Sequence, residues 1–217
     1  MAQYAFYFDQ SRCMSCNSCT VACKDWNQVE PGPVAWRKQF IYEEPNGFFP
    51  LSMGCNHCSD PACVKACGVG AVIKDANTGI VYVNRQKCVH LKGCIKACPF
   101  GKTLIAEDKQ EDVALQKANG WQVAHPMQKC DMCMERVNNG EKPACVASCV
   151  GRALDWGTVD YIQSTYHDAV RMNAGDFPYA YPNTVTDTKP NFFVRRKSGS
   201  KQPVISMLAT NYNIYYG

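Results

Sequence analysis

The sequence predicts an α+β protein in which a small cysteine-rich module is used twice and is followed by an extended C-terminal arm. Three observations support this prediction. The 15 cysteines of the 217-residue chain fall into four groups whose first members lie 42, 33 and 42 residues apart. Every group ends with two cysteines four residues apart, separated by helix-compatible residues. Short β-like runs flank the groups.

The four groups are defined by their cysteines alone. In chain order they are group one (Cys13, Cys16, Cys19, Cys23), group two (Cys55, Cys58, Cys63, Cys67), group three (Cys88, Cys94, Cys98) and group four (Cys130, Cys133, Cys145, Cys149). The i and i+4 spacing of each closing pair places both thiols on one face of a helix, a turn apart.

Three short strands are predicted around these groups. Tyr4 to Phe8 precedes group one, Ile80 to Val83 precedes group three, and Ala153 to Trp156 follows group four. Asn77-Thr78-Gly79 is expected to form a turn before the second strand.

The part of the chain after Cys149 contains no cysteine. Residues 160–173 are predicted to form one surface helix, because apolar side chains recur at helical spacing at Val159, Ile162, Tyr166 and Val170. From Asp176 onward the chain is rich in Pro, Asn and aromatic residues, and such a density of aromatics is unusual for a disordered tail. We expect an arm that packs either on its own domain or on a partner.

Composition excludes several classes of protein. An odd cysteine count rules out complete disulfide pairing within the chain. The N-terminal residues do not resemble a signal peptide, and no stretch approaches the ~20 apolar residues of a membrane helix. A secreted disulfide scaffold and a membrane protein are therefore both disfavoured, and we expect a cytoplasmic chain whose cysteines hold metal. Export bound to a signal-bearing partner, or membrane attachment through a partner, is compatible with the same sequence.

The formal charge of +4 does not by itself identify a partner. It counts each cysteine as neutral, whereas metal-bound cysteines are thiolates. The longest basic run, Arg195-Arg196-Lys197, is too short to indicate nucleic acid. No phosphate-binding glycine loop is present, so neither a nicotinamide nor a flavin is expected.

The spacing of the groups distinguishes between two kinds of metal centre. Group four alone would suit a structural zinc ion, which takes two pairs of cysteines separated by a loop. Group one instead has the Cys-x2-Cys-x2-Cys-x3-Cys spacing of bacterial ferredoxins, which bind iron–sulfur clusters. Group three has the same spacing and the following Pro99, and group two is a stretched version. Three variants of one spacing favour iron–sulfur clusters over zinc.

Leu91 stands where group three should have its second cysteine. Leucine cannot bind iron, so that corner of the cluster lacks a ligand from its own motif. The corner could take water, or the iron could be absent, leaving a [3Fe-4S] cluster. A third alternative is loss of the whole cluster, with Leu91 filling the space. An apolar site at the vacant corner favours absence of the iron over water, and the persistence of the other three cysteines at the required spacing argues against loss of the cluster. We therefore favour [3Fe-4S]. His57 and His90 lie inside the groups and are expected to act beside the ligands or at the surface.

The motifs resemble the iron–sulfur subunit of molybdenum or tungsten oxidoreductases of the dimethyl sulfoxide reductase family. The resemblance runs from about Tyr4 to Leu154, with weaker similarity at Thr188-Lys189-Pro190-Asn191. It is closest in Ser11-Arg12-Cys13-Met14-Ser15-Cys16, Ala22-Cys23-Lys24-Asp25, Cys55-Asn56-His57-Cys58-Ser59-Asp60-Pro61-Ala62-Cys63 and Lys129-Cys130-Asp131-Met132-Cys133.

The resemblance implies two bacterial-ferredoxin-like halves, a polyferredoxin arrangement. Residues 1–50 with 105–160 would carry groups one and four, and residues 51–104 would carry groups two and three. Residues 161–217 would form a surface helix and an extended arm that docks on a partner.

The resemblance also implies four sets of ligands, because the last cysteine of each group crosses to the neighbouring cluster. The implied sets are set one (Cys13, Cys16, Cys19, Cys149), set two (Cys23, Cys130, Cys133, Cys145), set three (Cys55, Cys58, Cys63, Cys98) and set four (Cys67, Cys88, Cys94, with Leu91 at the vacant corner). Sets one to three would each hold a [4Fe-4S] cluster, and set four a [3Fe-4S] cluster.

The implied function is that of a non-catalytic electron-transfer subunit with no catalytic residues. It would exchange electrons with a large molybdenum or tungsten bis-pterin catalytic subunit, with a membrane-anchor subunit or a soluble redox partner as a further partner. The alternatives are a free polyferredoxin carrier and the equivalent subunit of a formate dehydrogenase or hydrogenase complex.

Overall fold

The computed structural model describes residues 2–32, 34–44, 47–105, 113–173 and 187–198. Its strands are β1 (Tyr4–Asp9), β2 (Lys38–Glu44), β3 (Gly47–Met53), β4 (Val72–Lys74), β5 (Val81–Val83), β6 (Leu154–Thr158), β7 (Val170–Arg171) and β8 (Phe192–Arg195). Its helices are α1 (Ser18–Trp26), α2 (Ala62–Lys65), α3 (Gly93–Ala97), α4 (Val113–Ala118), α5 (Met134–Asn138), α6 (Ala144–Ala147) and α7 (Val159–Thr165).

The largest sheet has four strands in the order β6-β1-β8-β7. Strand β1 pairs antiparallel with β6 and parallel with β8, so it lies inside the sheet with a partner on each side. Its sequence is almost continuously apolar, as expected for a strand covered on both faces, and five of its six residues are buried. The strands predicted at Tyr4 to Phe8 and at Ala153 to Trp156 are confirmed as β1 and β6.

The described part of the C-terminal arm belongs to this same sheet. In β8, Phe192, Phe193 and Val194 are each 2% exposed or less, and Phe6 pairs with Phe192 in register. Residues 187–198 therefore pack on the chain's own domain. Most of the arm's aromatic residues lie outside the described residues: Phe177, Tyr179, Tyr181, Tyr212, Tyr215 and Tyr216.

Replacing Phe192 by alanine tests whether β8 stabilises the domain. Phe192 is 1% exposed and stacks on Phe8 with ring centroids 6.4 Å apart. A buried Phe→Ala change costs about 3–5 kcal/mol, so we expect a clear fall in the melting temperature followed by calorimetry. The control is Phe48→Ala, because Phe48 is 61% exposed and its truncation should change stability by less than about 0.5 kcal/mol. Equal melting temperatures for the two variants would contradict a stabilising role for β8.

Strands β2 and β3 form a hairpin that sequence reasoning missed. The pairing runs from Lys38 opposite Met53 to Glu44 opposite Gly47. Charged residues in β2 interrupt the apolar pattern that predicts a strand. Pro50 in β3 also argues against a strand, since proline is rare inside strands. The hairpin nevertheless buries Leu51 and Met53 completely.

A second two-stranded ribbon, β4 with β5, lies between groups two and three. The predicted strand Ile80 to Val83 is confirmed as β5. The predicted turn is also present, because the Asp75 carboxylate accepts hydrogen bonds from the backbone N–H groups of Asn77 and Thr78. Gly79 follows with φ 68°, a conformation that glycine adopts readily.

The helices that carry the closing cysteine pairs are shorter than predicted in three of the four groups. Cys19 and Cys23 both lie in the nine-residue α1. Helices α2, α3 and α6 are about one turn long and end before the last cysteine of their group. In α3, for example, Cys98 is already extended, with φ −79° and ψ 109°. The prediction of two thiols on one helix face is therefore wrong for groups two, three and four.

The helix predicted over residues 160–173 is also shorter than expected. Helix α7 ends at Thr165, and Val170 lies in β7, where it pairs with Val194 of β8. Tyr166 has left the helix, with φ −120°, and its ring stacks on Tyr7 with centroids 3.7 Å apart. Sheet pairing of residue 170 overrides the helical spacing of the apolar residues.

Cysteines form a large share of the hydrophobic core. The main cluster packs Phe6, Phe8 and Leu51 with buried cysteines from all four groups: Cys19, Cys23, Cys58, Cys98, Cys130 and Cys145. Helix α1 packs on α6, and α2 packs on α3. Within the described ranges, no helix is long and apolar enough to cross a membrane.

Candidate metal centres

All four cysteines of set one line a single cavity. Cys13 and Cys16 come from the loop after β1, Cys19 from the first turn of α1, and Cys149 from the segment after α6. The cavity holds about 320 Å³ of space not filled by protein atoms. Residues more than 120 positions apart meet here because α1 packs on α6 and β1 pairs with β6.

The four cysteines of set three line a second cavity of about 370 Å³. Cys55 and Cys58 follow β3, Cys63 lies in α2, and Cys98 follows α3 directly. The lining also includes the side chains of Lys102 and Lys129, which are 6% and 1% exposed. Two buried lysines therefore line the cavity where four thiols converge.

The members of sets two and four are electrostatic neighbours. Burial, together with the charges of Cys145 and Cys133, raises the pKa of the Cys23 thiol to about 12. Burial, together with Cys67 and Cys88, raises the pKa of Cys94 to about 11. The structure thus brings these thiols close together, although they come from two groups in each case.

The chemistry of these donors fits clusters better than single ions. Burial raises the pKa of Cys58 to about 12, so the bare thiol is neutral and needs a bound cation to become a thiolate. In a zinc site every sulfur lies about 2.3 Å from one ion. Within the described ranges, no three His, Cys, Asp or Glu side chains are grouped to hold a metal ion. Thiolates that each bind a different iron of one cluster are spaced more widely than the ligands of a single ion.

Backbone N–H groups point at the cysteine sulfurs in a repeated pattern. The N–H four residues after the last cysteine of a group donates to its Sγ in three groups, from Ala71 to Cys67 (3.2 Å), from Lys102 to Cys98 (3.4 Å) and from Ala153 to Cys149 (3.2 Å). The shortened helices allow these bonds, because the chain turns back toward the sulfur where a helix would continue. Such donors stabilise thiolate charge and help set cluster potentials.

A left-handed residue follows the first cysteine of every group by two positions. These residues are Ser15 (φ 57°), His57 (φ 40°), His90 (φ 63°) and Met132 (φ 61°). The conformation is uncommon for residues other than glycine, and here it folds each loop around its own thiols. All four loops therefore share a left-handed residue at this position, including group three, which has only three cysteines.

Leu91 occupies the place of a second cysteine in this geometry. In group one, Cys16 is followed by the helix cap Asn17 at φ 61° and ψ 2°. In group three, Leu91 is followed by the helix cap Lys92 at φ 59° and ψ 1°. The backbone at the residue after Leu91 therefore matches that at the residue after Cys16. The Leu91 side chain is 65% exposed, so the corner is at the protein surface and not in a closed apolar pocket.

Three buried basic side chains lie beside the cysteine sets, and sequence reasoning did not single out two of them. Arg37 is 1% exposed, and Lys102 is 6% exposed with a pKa lowered to about 7 by burial. Lys129 precedes group four and is also buried; burial alone would lower its pKa, but the charges of Cys55 and Cys130 raise it. No periodic pattern marks Arg37, because it lies in an irregular segment before β2.

His57 is completely buried beside two cysteine sets. Its Nδ1 accepts a hydrogen bond from the Val81 backbone N–H at 3.0 Å, and its Nε2 lies 3.6 Å from Cys130 Sγ. Burial, followed by the charges of Lys129 and Arg37, lowers the pKa of His57 well below its usual range. The expectation of a role beside the ligands therefore fits the position of His57. His90 is only partly buried.

The short segment Thr188-Lys189-Pro190-Asn191 is hydrogen-bonded to the loop of group two. Backbone carbonyls of Lys189 and Thr188 accept hydrogen bonds from the N–H groups of Ser59 and Asp60. The Asn191 side chain donates to the His57 carbonyl at 2.7 Å. The resemblance pointed to this segment, and its packing beside group two explains why it accompanies the cysteine motifs.

Comparison with known proteins decides the kind of centre. The profile of the 4Fe-4S dicluster domain matches residues 47–159, just over half of the chain. The chain belongs to this iron–sulfur family. Its relatives include the B subunit of the anaerobic dimethyl sulfoxide reductase of Escherichia coli (strain K12), which is 35% identical over 92% of this chain and 91% of its own length.

Two further relatives of this iron–sulfur protein extend the comparison. The B subunit of the anaerobic dimethyl sulfoxide reductase of Haemophilus influenzae is 36% identical over 90% of this chain and 93% of its own length. Protein NrfC of Escherichia coli (strain K12) is 32% identical over 88% and 79%. The resemblance to the iron–sulfur subunits of the dimethyl sulfoxide reductase family is confirmed, and the chain is a [4Fe-4S] electron-transfer protein.

Proposed function

We propose that this chain is the electron-transfer subunit of an oxidoreductase complex and holds three [4Fe-4S] clusters and one [3Fe-4S] cluster. The observation that carries the proposal is that two separate cavities are each lined by one complete set of four cysteines. The ligands are sets one, two and three for the [4Fe-4S] clusters, and set four for the [3Fe-4S] cluster. Each cluster supplies one-electron exchange when bound.

The positions of the sets support a linear relay. Helix α1 carries Cys19 of set one and Cys23 of set two, so these sets are neighbours. Cys55 of set three lies close to Cys130 of set two, because burial and the charge of Cys55 both raise the pKa of Cys130. Sets three and four are joined through α2 and the residues that follow it, which supply Cys63 and Cys67. The order one, two, three, four follows.

The packing of helices supports two ferredoxin-like halves. Residues 1–50 with 105–160 form the half in which α1 packs on α6, and residues 51–104 form the half in which α2 packs on α3. Residues 161–217 follow these halves and include the C-terminal arm. We assign the part of this arm outside β8 to docking on a partner.

We assign substrate chemistry to a partner, a large molybdenum or tungsten bis-pterin subunit. All-cysteine sets with four ligands leave no open position for substrate. The relatives named as B subunits of dimethyl sulfoxide reductase match along nearly the whole chain, which favours a subunit over a free polyferredoxin carrier. A formate dehydrogenase or hydrogenase complex is the alternative assembly, and a membrane-anchor subunit or soluble redox partner would complete the path. We place the chain in the cytoplasm, or exported together with a signal-bearing partner.

Purification from the native cell under anaerobic conditions tests this proposal. We expect the tagged chain to copurify with one large molybdenum- or tungsten-containing subunit and to carry about 15 iron atoms. Elution of an iron-loaded chain alone would support the free carrier instead. An iron content near 12 without a [3Fe-4S] signal in the electron paramagnetic resonance (EPR) spectrum of the oxidised protein would remove the fourth cluster from the proposal.

A further inference from the structure

His57 contacts cysteines of two different sets. Its backbone N–H donates to Cys55 Sγ of set three at 3.5 Å. Its ring reaches Cys130 Sγ of set two, with Nε2 at 3.6 Å. The side chain is completely buried, so water does not compete for either contact. One residue therefore connects two thiolates that belong to different clusters in the proposed relay.

Hydrogen bonding fixes the tautomer of the His57 ring. The backbone N–H of Val81 donates to Nδ1 at 3.0 Å, so Nδ1 carries a lone pair and no proton. A neutral imidazole then carries its proton on Nε2. The Nε2–H group points at Cys130 Sγ and donates to it, and a thiolate is a better acceptor for this bond than a neutral thiol.

Further contacts hold the ring in place. The His57 carbonyl accepts hydrogen bonds from Asn191 Nδ2 at 2.7 Å and from Gln3 Nε2 at 3.3 Å. The ring lies 6.1 Å from the Phe6 ring, centroid to centroid. These partners come from β1, from the residue before it and from the segment before β8, all at the main sheet. The protein itself therefore holds His57 in position.

We propose that His57 is a positioning residue that bridges the second and third clusters and raises the reduction potential of the cluster bound by set two. This inference rests on the proposed function. A hydrogen bond to a ligand sulfur favours the reduced state of the cluster, because it stabilises the added negative charge. In the exchange that His57 bridges, one electron leaves one cluster and enters the other, while the imidazole keeps its proton and no bond breaks.

Two substitutions separate this role from simple space-filling. His57→Phe keeps an aromatic ring in the buried position but removes the N–H donor, and His57→Gln keeps a neutral N–H donor. His90→Phe is the matched control, because His90 holds the corresponding left-handed position in group three at φ 63°. If His57 only fills space, His57→Phe should disturb the protein less than His57→Gln. Our proposal predicts instead that the reduction potential of the set-two cluster changes more in His57→Phe than in His57→Gln.

The first measurement is a redox titration of the purified complex followed by EPR, with iron analysis of each variant. In His57→Phe we expect the ratio of reduced to oxidised set-two cluster at a fixed ambient potential to fall about tenfold, which is about 59 mV for one electron. His57→Gln should recover most of this change, and His90→Phe should show none for that cluster. An unchanged set-two potential in an iron-complete His57→Phe protein would overturn the inference and leave the proposed function intact.

A second measurement needs no stable His57 variant. The wild-type complex, labelled with ¹⁵N only in its histidines, should show nitrogen coupling to the reduced set-two cluster in pulsed EPR. That coupling should persist in His90→Phe, which removes one of the four histidines. Absence of the coupling in the wild type would overturn the inference. Absence of any cluster signal or bound iron would instead overturn the proposed function.

Discussion

Replacing Arg37 by methionine is expected to remove about eight iron atoms per chain, the content of the two clusters that we propose for sets one and two. The side chain of Arg37 is 1% exposed and lies between cysteines of those two sets. Burial alone would lower its pKa, but the charges of Cys145 and Cys19 raise it above its usual value. The guanidinium is thus the buried counter-charge of two anionic centres.

The contacts of Arg37 show why methionine cannot replace it. Nη1 donates to the Ser52 carbonyl at 3.1 Å and to Ser52 Oγ at 3.3 Å, and Ser52 Oγ lies 3.2 Å from Cys19 Sγ. The guanidinium also lies over the Phe6 ring, 4.6 Å from its centroid. Methionine would match the volume but leave buried thiolate charge without compensation, a change that typically costs about 3–5 kcal/mol.

Iron analysis and calorimetry of the purified complex measure the outcome of Arg37→Met. Arg37→Lys keeps the charge but loses the planar fork, so we expect partial retention of iron. Arg12→Met is the control, because Arg12 precedes Cys13 in the chain yet is exposed, and its loss should leave the iron content unchanged. A full complement of iron in Arg37→Met would show that the charge between the two sets is not required.

Cysteine spacing is a local constraint, so the sequence predicts which thiols are neighbours within a group, but it does not predict that α2, α3 and α6 end before the last cysteine. Strand β1 is predictable from its continuous apolar run, and the turn at residues 77–79 from its residue types. The convergence of Cys149 with group one is different. It depends on pairing between β1 and β6, which no local pattern specifies, and it entered only through the resemblance.

The features that could not be predicted depend on contacts between distant residues. The bond between His57 and Cys130 joins residues 73 positions apart. Arg37 lies outside every motif, and only the packing of the β2–β3 hairpin shows that it is buried. Residue 170 follows a helical pattern but lies in a strand, because Val194 offers a sheet partner. In each case tertiary packing overrides a local preference or supplies a role that the local sequence does not show.

Replacing Leu91 by cysteine is expected to convert the [3Fe-4S] cluster that we propose for set four to [4Fe-4S]. The backbone supports this register, because Lys92 after Leu91 and Asn17 after Cys16 share φ near 60° and ψ near 0°. A cysteine at residue 91 should therefore aim its thiol as Cys16 does, toward the three thiols of its own set. Leu91 Cδ1 lies 3.7 Å from where a β-carbon on Gly68 would be, so residue 91 lies beside the residue that follows Cys67 of set four.

Iron analysis and EPR of the oxidised complex measure this conversion. Iron should rise from about 15 to about 16 per chain, and the [3Fe-4S] signal should disappear. Leu91→Ala should retain both the signal and the lower iron content, since it also lacks a ligand. Val89→Cys adds a thiol to the same loop in a different register and should leave the cluster unchanged. If Leu91→Cys leaves the spectrum unaltered, residue 91 is not the corner ligand, and the equivalence of groups one and three fails even though their backbones match.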